Sequence, residues 1–336
     1  MRILASLCLA ASLLANPVAA QEATPSARGS TITIYVGNTA GGTYDLYARL
    51  VARHLGNFLP GKPTILVENM PGAGSLRAAN FVYGVAPKNG TALGIISENI
   101  AIEQALKNPG VQYDASKLTW MARVGPAAAV HVVWHTAKAQ SIEEAKTHEM
   151  TVAGTGPGNL AEVIPLLLNP LLGTKFKVIR GYPASLEALL AMERGEVEGA
   201  SANWTTIKVN KKELLAQGKL KVILQDLPTR LPELPDVPAL GELGDTPEAK
   251  QLTGLYASVG AIGRSFFGPA GLPPATAEQM RTAFSAMMVD SDFLADAQKS
   301  NLDLSPAAGE TVQASVTRTL AISPETIKRA QDIFQR

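Results

Sequence analysis

The 336-residue sequence predicts an α/β protein of two lobes, each a mainly parallel sheet flanked by helices. Three observations carry that expectation. Short β-branched runs alternate with amphipathic helical stretches along most of the chain. The chain is longer than one hydrophobic core usually holds. Several apolar strands run directly into polar, glycine-bearing loops that open helices, the place where open α/β sheets bind ligands.

The chain begins with a positive Met1-Arg2, an apolar run from Ile3 to Ala15, a break at Asn16-Pro17 and small residues Val18-Ala19-Ala20. This is the pattern of a secretory signal peptide over residues 1–20, cut before Gln21. The run is shorter than the roughly 20 residues a membrane anchor needs. The signal carries Cys8, the only cysteine, so the exported chain is expected to have neither disulfide nor thiol chemistry. It also carries Arg2, which leaves 29 basic against 29 acidic residues. That neutral balance gives no footprint for nucleic acid or for an anionic membrane surface. The expected product is a periplasmic protein, and from its unpatterned surface a monomer. ATP and NAD are scarce in that compartment, so nucleotide readings of its glycine loops are weak and no cofactor is expected.

Residues 21–30 are small and polar and read as a disordered lead-in. Strand 31–36 then leads to helix 44–57 and strand 64–68. Pro71-Gly72-Ala73-Gly74 opens a helix at 75–84, and strand 92–97 follows. A second run starts near 120, with strands at 128–134, 150–153, 176–180, 197–202 and 220–224. Its helices fall at 141–147, 159–169, 185–194 and 210–217. The stretch LPTRLPELPDVPALGEL, residues 227–243, has four prolines and reads as an extended surface connection. Beyond it 255–267 is strand-like, and 275–288, 291–300 and 311–335 are helical. The expected division is 31–124 with 256–336 in one lobe and 125–255 in the other, joined by crossing strands.

Four polar elements end strands or open helices. The first is the loop Asn38, Thr39, Ala40, Gly41, Gly42 and Thr43, with Asp45 in the first turn of its helix. Backbone N–H groups at such a turn, with the helix dipole, favour a negative ligand. The second is Ser97-Glu98-Asn99. The third, Gly154-Thr155-Gly156-Pro157-Gly158-Asn159, repeats the logic of the first loop in the other lobe. The fourth is Tyr182, after the strand ending near Arg180. Glycine-rich helix starts on facing lobes make a cleft that grips an anion from both sides. The third loop does not fit a Rossmann fingerprint, because its glycines are misplaced and Pro157 removes an N–H. No stretch fits the phosphate-loop pattern.

Metal and covalent chemistry find little support. His131 and His135 fall on one strand face about 13 Å apart, too far to share an ion. There is no Gly-x-Ser-x-Gly elbow. Asp45 reads first as a helix-start and loop-bracing residue. Arg264 is a lone cation among apolar and small residues, a position that demands an anionic partner. Glu98, Asp45 and a ligand carboxylate are the alternatives. Asn203-Trp204-Thr205 matches a glycosylation sequon, read as chance.

VENMPGAGSLRAANFVYGVAPKNGTALGI, GYPASLEALLAMERGEVEGA, LPELPDVPALGELG and FFGPAGLP occur in this order over nearly the whole exported chain. Together they resemble the tripartite tricarboxylate transporter receptors, also called the Bug or TctC family. The resemblance implies a type II-like periplasmic binding protein whose lobes close on a small mono- or dicarboxylic acid. It also implies delivery of that acid to the large and small membrane subunits of a tripartite carrier. Gly41-Gly42-Thr43-Tyr44-Asp45 matches the spacing of the family's carboxylate-pinning loop, which places that role on Thr39 to Thr43. Thr155, Gly156 and Asn159 match its second-lobe loop, and Tyr182 its tyrosine. Gly37-Asn38-Thr39-Ala40 replaces the usual prolines, and Glu98 and Arg264 depart from the family pattern. The departures raise direct contact between Arg264 and the ligand. The competing readings are a secreted enzyme of organic-acid metabolism using Asp45 or Glu98 as a base, and a ligand-binding partner of a sensor kinase.

Overall fold

A computed structural model describes residues 31–156 and 158–334. The signal segment 1–20, the lead-in 21–30 and the inference drawn from Pro157 lie outside the described residues. The chain opens with β1 (Thr31–Val36), α1 (Thr43–His54), β2 (Thr64–Asn69), α2 (Leu76–Gly84), β3 (Ala92–Ile95), α3 (Ile100–Ala105) and β4 (Thr119–Gly125). It continues with β5 (Ala129–Trp134), α4 (Ile142–Ala145), β6 (Met150–Gly154), α5 (Leu160–Leu172), β7 (Phe176–Arg180) and α6 (Ser185–Glu193). Next come β8 (Gly199–Asn203), α7 (Trp204–Asn210), α8 (Lys212–Ala216), β9 (Leu220–Gln225) and α9 (Pro247–Ser258). The last are β10 (Arg264–Gly268), α10 (Pro274–Met287), α11 (Ser291–Lys299), β11 (Ala307–Ala308), α12 (Gly309–Leu320) and α13 (Pro324–Phe334).

Two sheets result, with strand orders β11-β4-β10-β3-β1-β2 and β7-β6-β8-β5-β9. In the first, β2, β1 and β3 are parallel neighbours, and β10 lies antiparallel between β3 and β4. In the second, β7, β6 and β8 are parallel, and β5 lies antiparallel between β8 and β9. Each sheet is thus a parallel core with one reversed strand inserted, and the first also carries β11 antiparallel to β4 at its edge. The reversed strands, β5 and β10, are the ones through which the chain enters a sheet after crossing from the other. Helices cover both faces of both sheets, which explains the near-continuous burial of β3 and β10.

Four apolar clusters fill the layers. Ile34, Leu50 and Phe284 anchor the layer between the first sheet, α1 and α10, and Val82, Trp120 and Val316 anchor its opposite face. Ile164, Leu168 and Tyr256 centre the layer between the second sheet, α5 and α9, and Leu189, Met192 and Ile207 fill the other side. The C-terminal helix α13 buries Ala330 and Ile333 in the α5–α9 layer, so the chain crosses between sheets a third time after α12.

The crossing strands pass close together. A Cβ on Gly125 would sit 2.4 Å from the Tyr47 ring, and one on Gly263 2.7 Å from the Gly125 carbonyl oxygen. Gly263 also has φ +54°, a conformation that disfavours side chains. Among the described residues no helix is long and apolar enough to cross a membrane.

The expected strand at 255–267 is in fact the end of α9, a short 3-10 turn and then β10. Thr246 caps that helix by accepting the Ala249 N–H, and Pro247 occupies its first turn, a start signal overridden in the reading by the β-branched look of the later residues. The single helix expected at 311–335 is two, because Pro324 starts a new one after Leu320 ends the first. The helix expected at 210–217 is likewise α7 and α8.

Candidate functional site

The loop after β1 is built by its neighbours. Asp45, 2% exposed in the first turn of α1, accepts the Gly41 N–H at 2.8 Å, the Asn69 amide at 3.0 Å and Arg49 Nε at 2.9 Å. Asn69 also donates to the Asn38 carbonyl at 3.0 Å. Burial raises the Asp45 carboxyl, but the bonds from Arg49, Gly41 and Asn69 outweigh it and hold the group below its usual range. From below, Ser75 Oγ reaches the Gly37 carbonyl at 3.1 Å and Asn38 Oδ1 at 3.2 Å, and accepts the Ser97 N–H at 3.2 Å. Thr39, Ala40 and Gly41 form the exposed crest, Gly42 and Thr43 are half-buried, and Gly41 needs its φ of +79° to turn the chain. Asp45 therefore braces the loop.

Ser97-Glu98-Asn99 follows β3 and sits beside that loop. The Glu98 N–H donates to the Tyr44 hydroxyl at 3.2 Å, and Glu98 Oε2 accepts Arg264 Nη1 at 2.9 Å. Arg264, at the start of β10, is 1% exposed. Its Nη2 donates to Asn203 Oδ1 at the end of β8 at 2.7 Å, and its guanidinium lies 4.1 Å from the centre of the Tyr44 ring. Of the partners open to Arg264, the structure provides Glu98, and it adds Asn203 from the second sheet. The buried charge is thereby compensated and the two sheets are tied together.

The loop after β6 meets the first sheet through Asn99, whose Nδ2 donates to the Gly158 carbonyl at 3.2 Å and to Glu103 Oε1 at 3.2 Å. Gly156 and Gly158 have φ of +128° and +78°. Asn159 uses its side-chain oxygen to cap α5 at the Ala161 N–H, 3.0 Å away. Thr155 is half-buried. Three of the residues named from sequence carry buried polar atoms with no hydrogen-bond partner among the described residues: Asn99 Oδ1, Thr155 Oγ1 and Arg264 Nε. Such an atom costs about 1–3 kcal/mol when left unmet. Asn38, Thr39, Gly41, Gly42, Thr43, Ser97, Glu98, Asn99 and Arg264 thus form one continuous region, joined by Gly158 to the loop of Thr155, Gly156 and Asn159.

Tyr182 stands outside this set of hydrogen bonds. It is half-buried against the layer of Leu189 and Met192, and burial, then the charge of Glu196, raises its hydroxyl. A second tie between the sheets lies elsewhere: Asp303, between α11 and β11, accepts Thr205 Oγ1 at 2.7 Å and Lys208 Nζ at 3.0 Å from α7. The sequon triplet is put to structural use, with Asn203 on Arg264, Trp204 Nε1 on Glu233 and Thr205 on Asp303. His131 is buried with its Nε2 3.1 Å from the Asp226 carboxylate, and His135 lies just past the end of β5.

Sequence reasoning missed Tyr44, Asn69, Ser75 and Asn203. Asn203 was findable, because it ends an apolar strand and opens a helix as Ser97-Glu98-Asn99 does. The other three act through contacts across the fold.

Residues 47–335 match the profile of the tripartite tricarboxylate transporter family receptor, TctC. The loop at Asn38 to Asp45 lies just upstream of the matched span. The chain is 32% identical over 250 residues to the UPF0065 protein in the TAR-I ttuE-ttuC' intergenic region of Agrobacterium vitis, which covers 70% of this chain and 67% of that protein. Among solved structures, MatC from Rhodopseudomonas palustris with bound malate aligns with a TM-score of 0.63 at 23% identity, over 90% of this chain and 98% of that one. A second R. palustris protein, solved with adipate, aligns with a TM-score of 0.66 at 19% identity, over 90% and 97%. At these identities the structures establish the shared two-lobe fold. The profile match spans most of the chain, and the protein belongs to the tripartite tricarboxylate transporter receptor family, whose members are solute-binding receptors and not enzymes.

Proposed function

We propose that the protein is a periplasmic receptor that captures a small mono- or dicarboxylic acid by lobe closure and delivers it to the membrane subunits of a tripartite tricarboxylate-type carrier. The lobes in this reading are 31–124 with 256–336, and 125–255, except that the C-terminal helix α13 packs on the second. The observation that carries it is the pair of unmet polar atoms, Asn99 Oδ1 and Thr155 Oγ1, on two loops that end parallel strands of the two sheets. Unmet groups in a polar crevice are the partners a bound polar solute supplies. The exposed crest of the Thr39–Thr43 loop, at the start of α1, suits a carboxylate. Family membership supports the carrier as destination, and the malate and adipate bound to the R. palustris proteins support the ligand class. The signal pattern of residues 1–20 supports the compartment.

Thermal unfolding of residues 21–336, stripped of carried-over ligand, tests the reading against a panel of small acids. Ligand at 100 times its Kd adds about 2.7 kcal/mol, a rise of a few degrees. A rise with one class of acids, recovered unchanged, is the expected result. No rise with any acid would sink the carboxylate assignment.

A further inference from the structure

We propose that the receptor prefers small monocarboxylates carrying a second hydrogen-bond donor, a hydroxyl or an amine, over dicarboxylates, and that Glu98 sets this preference. The inference rests on the carboxylate-receptor reading above. Its starting point is the order of the two charges between the loops. The Arg264 side chain is 1% exposed and that of Glu98 12%, so the accessible member of the pair is the carboxylate. The guanidinium lies behind it, stacked on Tyr44 and tied to Asn203. A ligand therefore meets a negative group whose positive partner is already engaged.

The hydrogen-bond inventory points the same way. Glu98 gives Oε2 to Arg264, and among the described residues its Oε1 takes no hydrogen bond. Asn99 spends its Nδ2 on two acceptors, Glu103 Oε1 and the Gly158 carbonyl, which fixes the amide orientation and leaves Oδ1 as its free end. Two acceptors on neighbouring residues thus await donors. The unmet donor Arg264 Nε belongs to the side chain behind the carboxylate.

A ligand whose carboxylate is held by the N–H groups of the first loop presents its far end to these acceptors. A hydroxyl or amine there donates to Glu98 Oε1 or Asn99 Oδ1. An apolar end leaves both unmet. A second carboxylate meets Glu98 as a like charge, which weakens its binding. The expected order at equal length is donor-bearing monoacid, plain monoacid, diacid.

Calorimetric titration of residues 21–336 with 6-hydroxyhexanoate, 6-aminohexanoate, hexanoate and adipate tests the six-carbon series. 4-Hydroxybutyrate, butyrate and succinate test the four-carbon one. In the parent, the best donor-bearing acid is expected to bind about tenfold or more tighter than the diacid of its length. Glu98→Gln, which removes the negative charge, is expected to bring that ratio to within about threefold. The ratio is taken within one protein, so a partly unfolded variant does not distort it, and the parent series stands without the variant. A diacid that binds the parent as tightly as its hydroxy analogue overturns the preference and leaves the receptor reading intact. An unchanged ratio in Glu98→Gln overturns the role of Glu98. Binding of no acid in either series overturns both readings together.

Discussion

The loop after β1 and the loop after β6 hold the same place in their sheets, past the end of a parallel strand and ahead of a helix, yet they are held differently. Each is followed by a buried carboxylate in the first turn of its helix, Asp45 in α1 and Glu162 in α5. Asp45 turns back and takes the Gly41 N–H, so the first loop is shaped before any ligand arrives. Glu162, 3% exposed, turns instead to Arg180 on β7, whose Nε lies 2.7 Å away, and its Oε2 is left without a partner among the described residues. The second loop is fastened mainly by the Asn159 cap and the single bond from Asn99. In the proposed receptor one lobe would carry a preorganised half-site and the other an adaptable one, so the cost of ordering would fall on folding in the first and on binding in the second.

The strongest way to break this contrast is Asp45→Ala. It strands the Gly41 N–H, Asn69 and Arg49 at once, and a loss of about 3 kcal/mol in urea-unfolding stability is expected. A loss of under about 1 kcal/mol would mean the first loop holds its shape unaided.

Thr155→Val probes the other half. Removing a hydroxyl that has no partner among the described residues should leave stability of the free protein within about 0.5 kcal/mol, while ligand affinity falls about tenfold. Lost stability with unchanged affinity would place that hydroxyl in the scaffold.

The smallest effect concerns pH. A carboxyl held below its unfolded value contributes stability that is present above that value and lost as pH falls through the folded one. Asp45 should therefore weaken the fold progressively below about pH 4. Asp296, clamped by Arg53 and His54 and held down to about 2, loses its own contribution over the same window. The share of Asp45 is the difference between the parent and Asp45→Asn across stepped-pH urea titrations. Parallel curves for the two proteins would show that Asp45 supplies no pH-dependent stability.

Much of the fold was legible because strands such as 31–36 and 176–180 are β-branched and end at turn residues. Strand β4 was not legible: TWMARVG places Arg123 inside a strand, and only the tertiary fold gives that guanidinium the Ser305 and Ala261 carbonyls it binds. The candidate site divided in the same way. A lone arginine in an apolar stretch announces that a partner exists, but Glu98, Asp45 and a ligand carboxylate all stayed open until the fold brought β3 beside β10. Tyr44 reads as an ordinary amphipathic helix position, and its place under Arg264 follows from the crossing strands alone.

The third crossing, through α13, has a practical consequence. The described chain starts at Thr31 in β1, one strand in from the edge of the first sheet, and its last helix is seated in the second lobe's core through Ala330 and Ile333. A dye ahead of Thr31 and another behind Phe334 would ride on different lobes, so energy transfer between the two ends reads the angle between the lobes. The chain is by construction a candidate optical sensor for whatever its cleft binds.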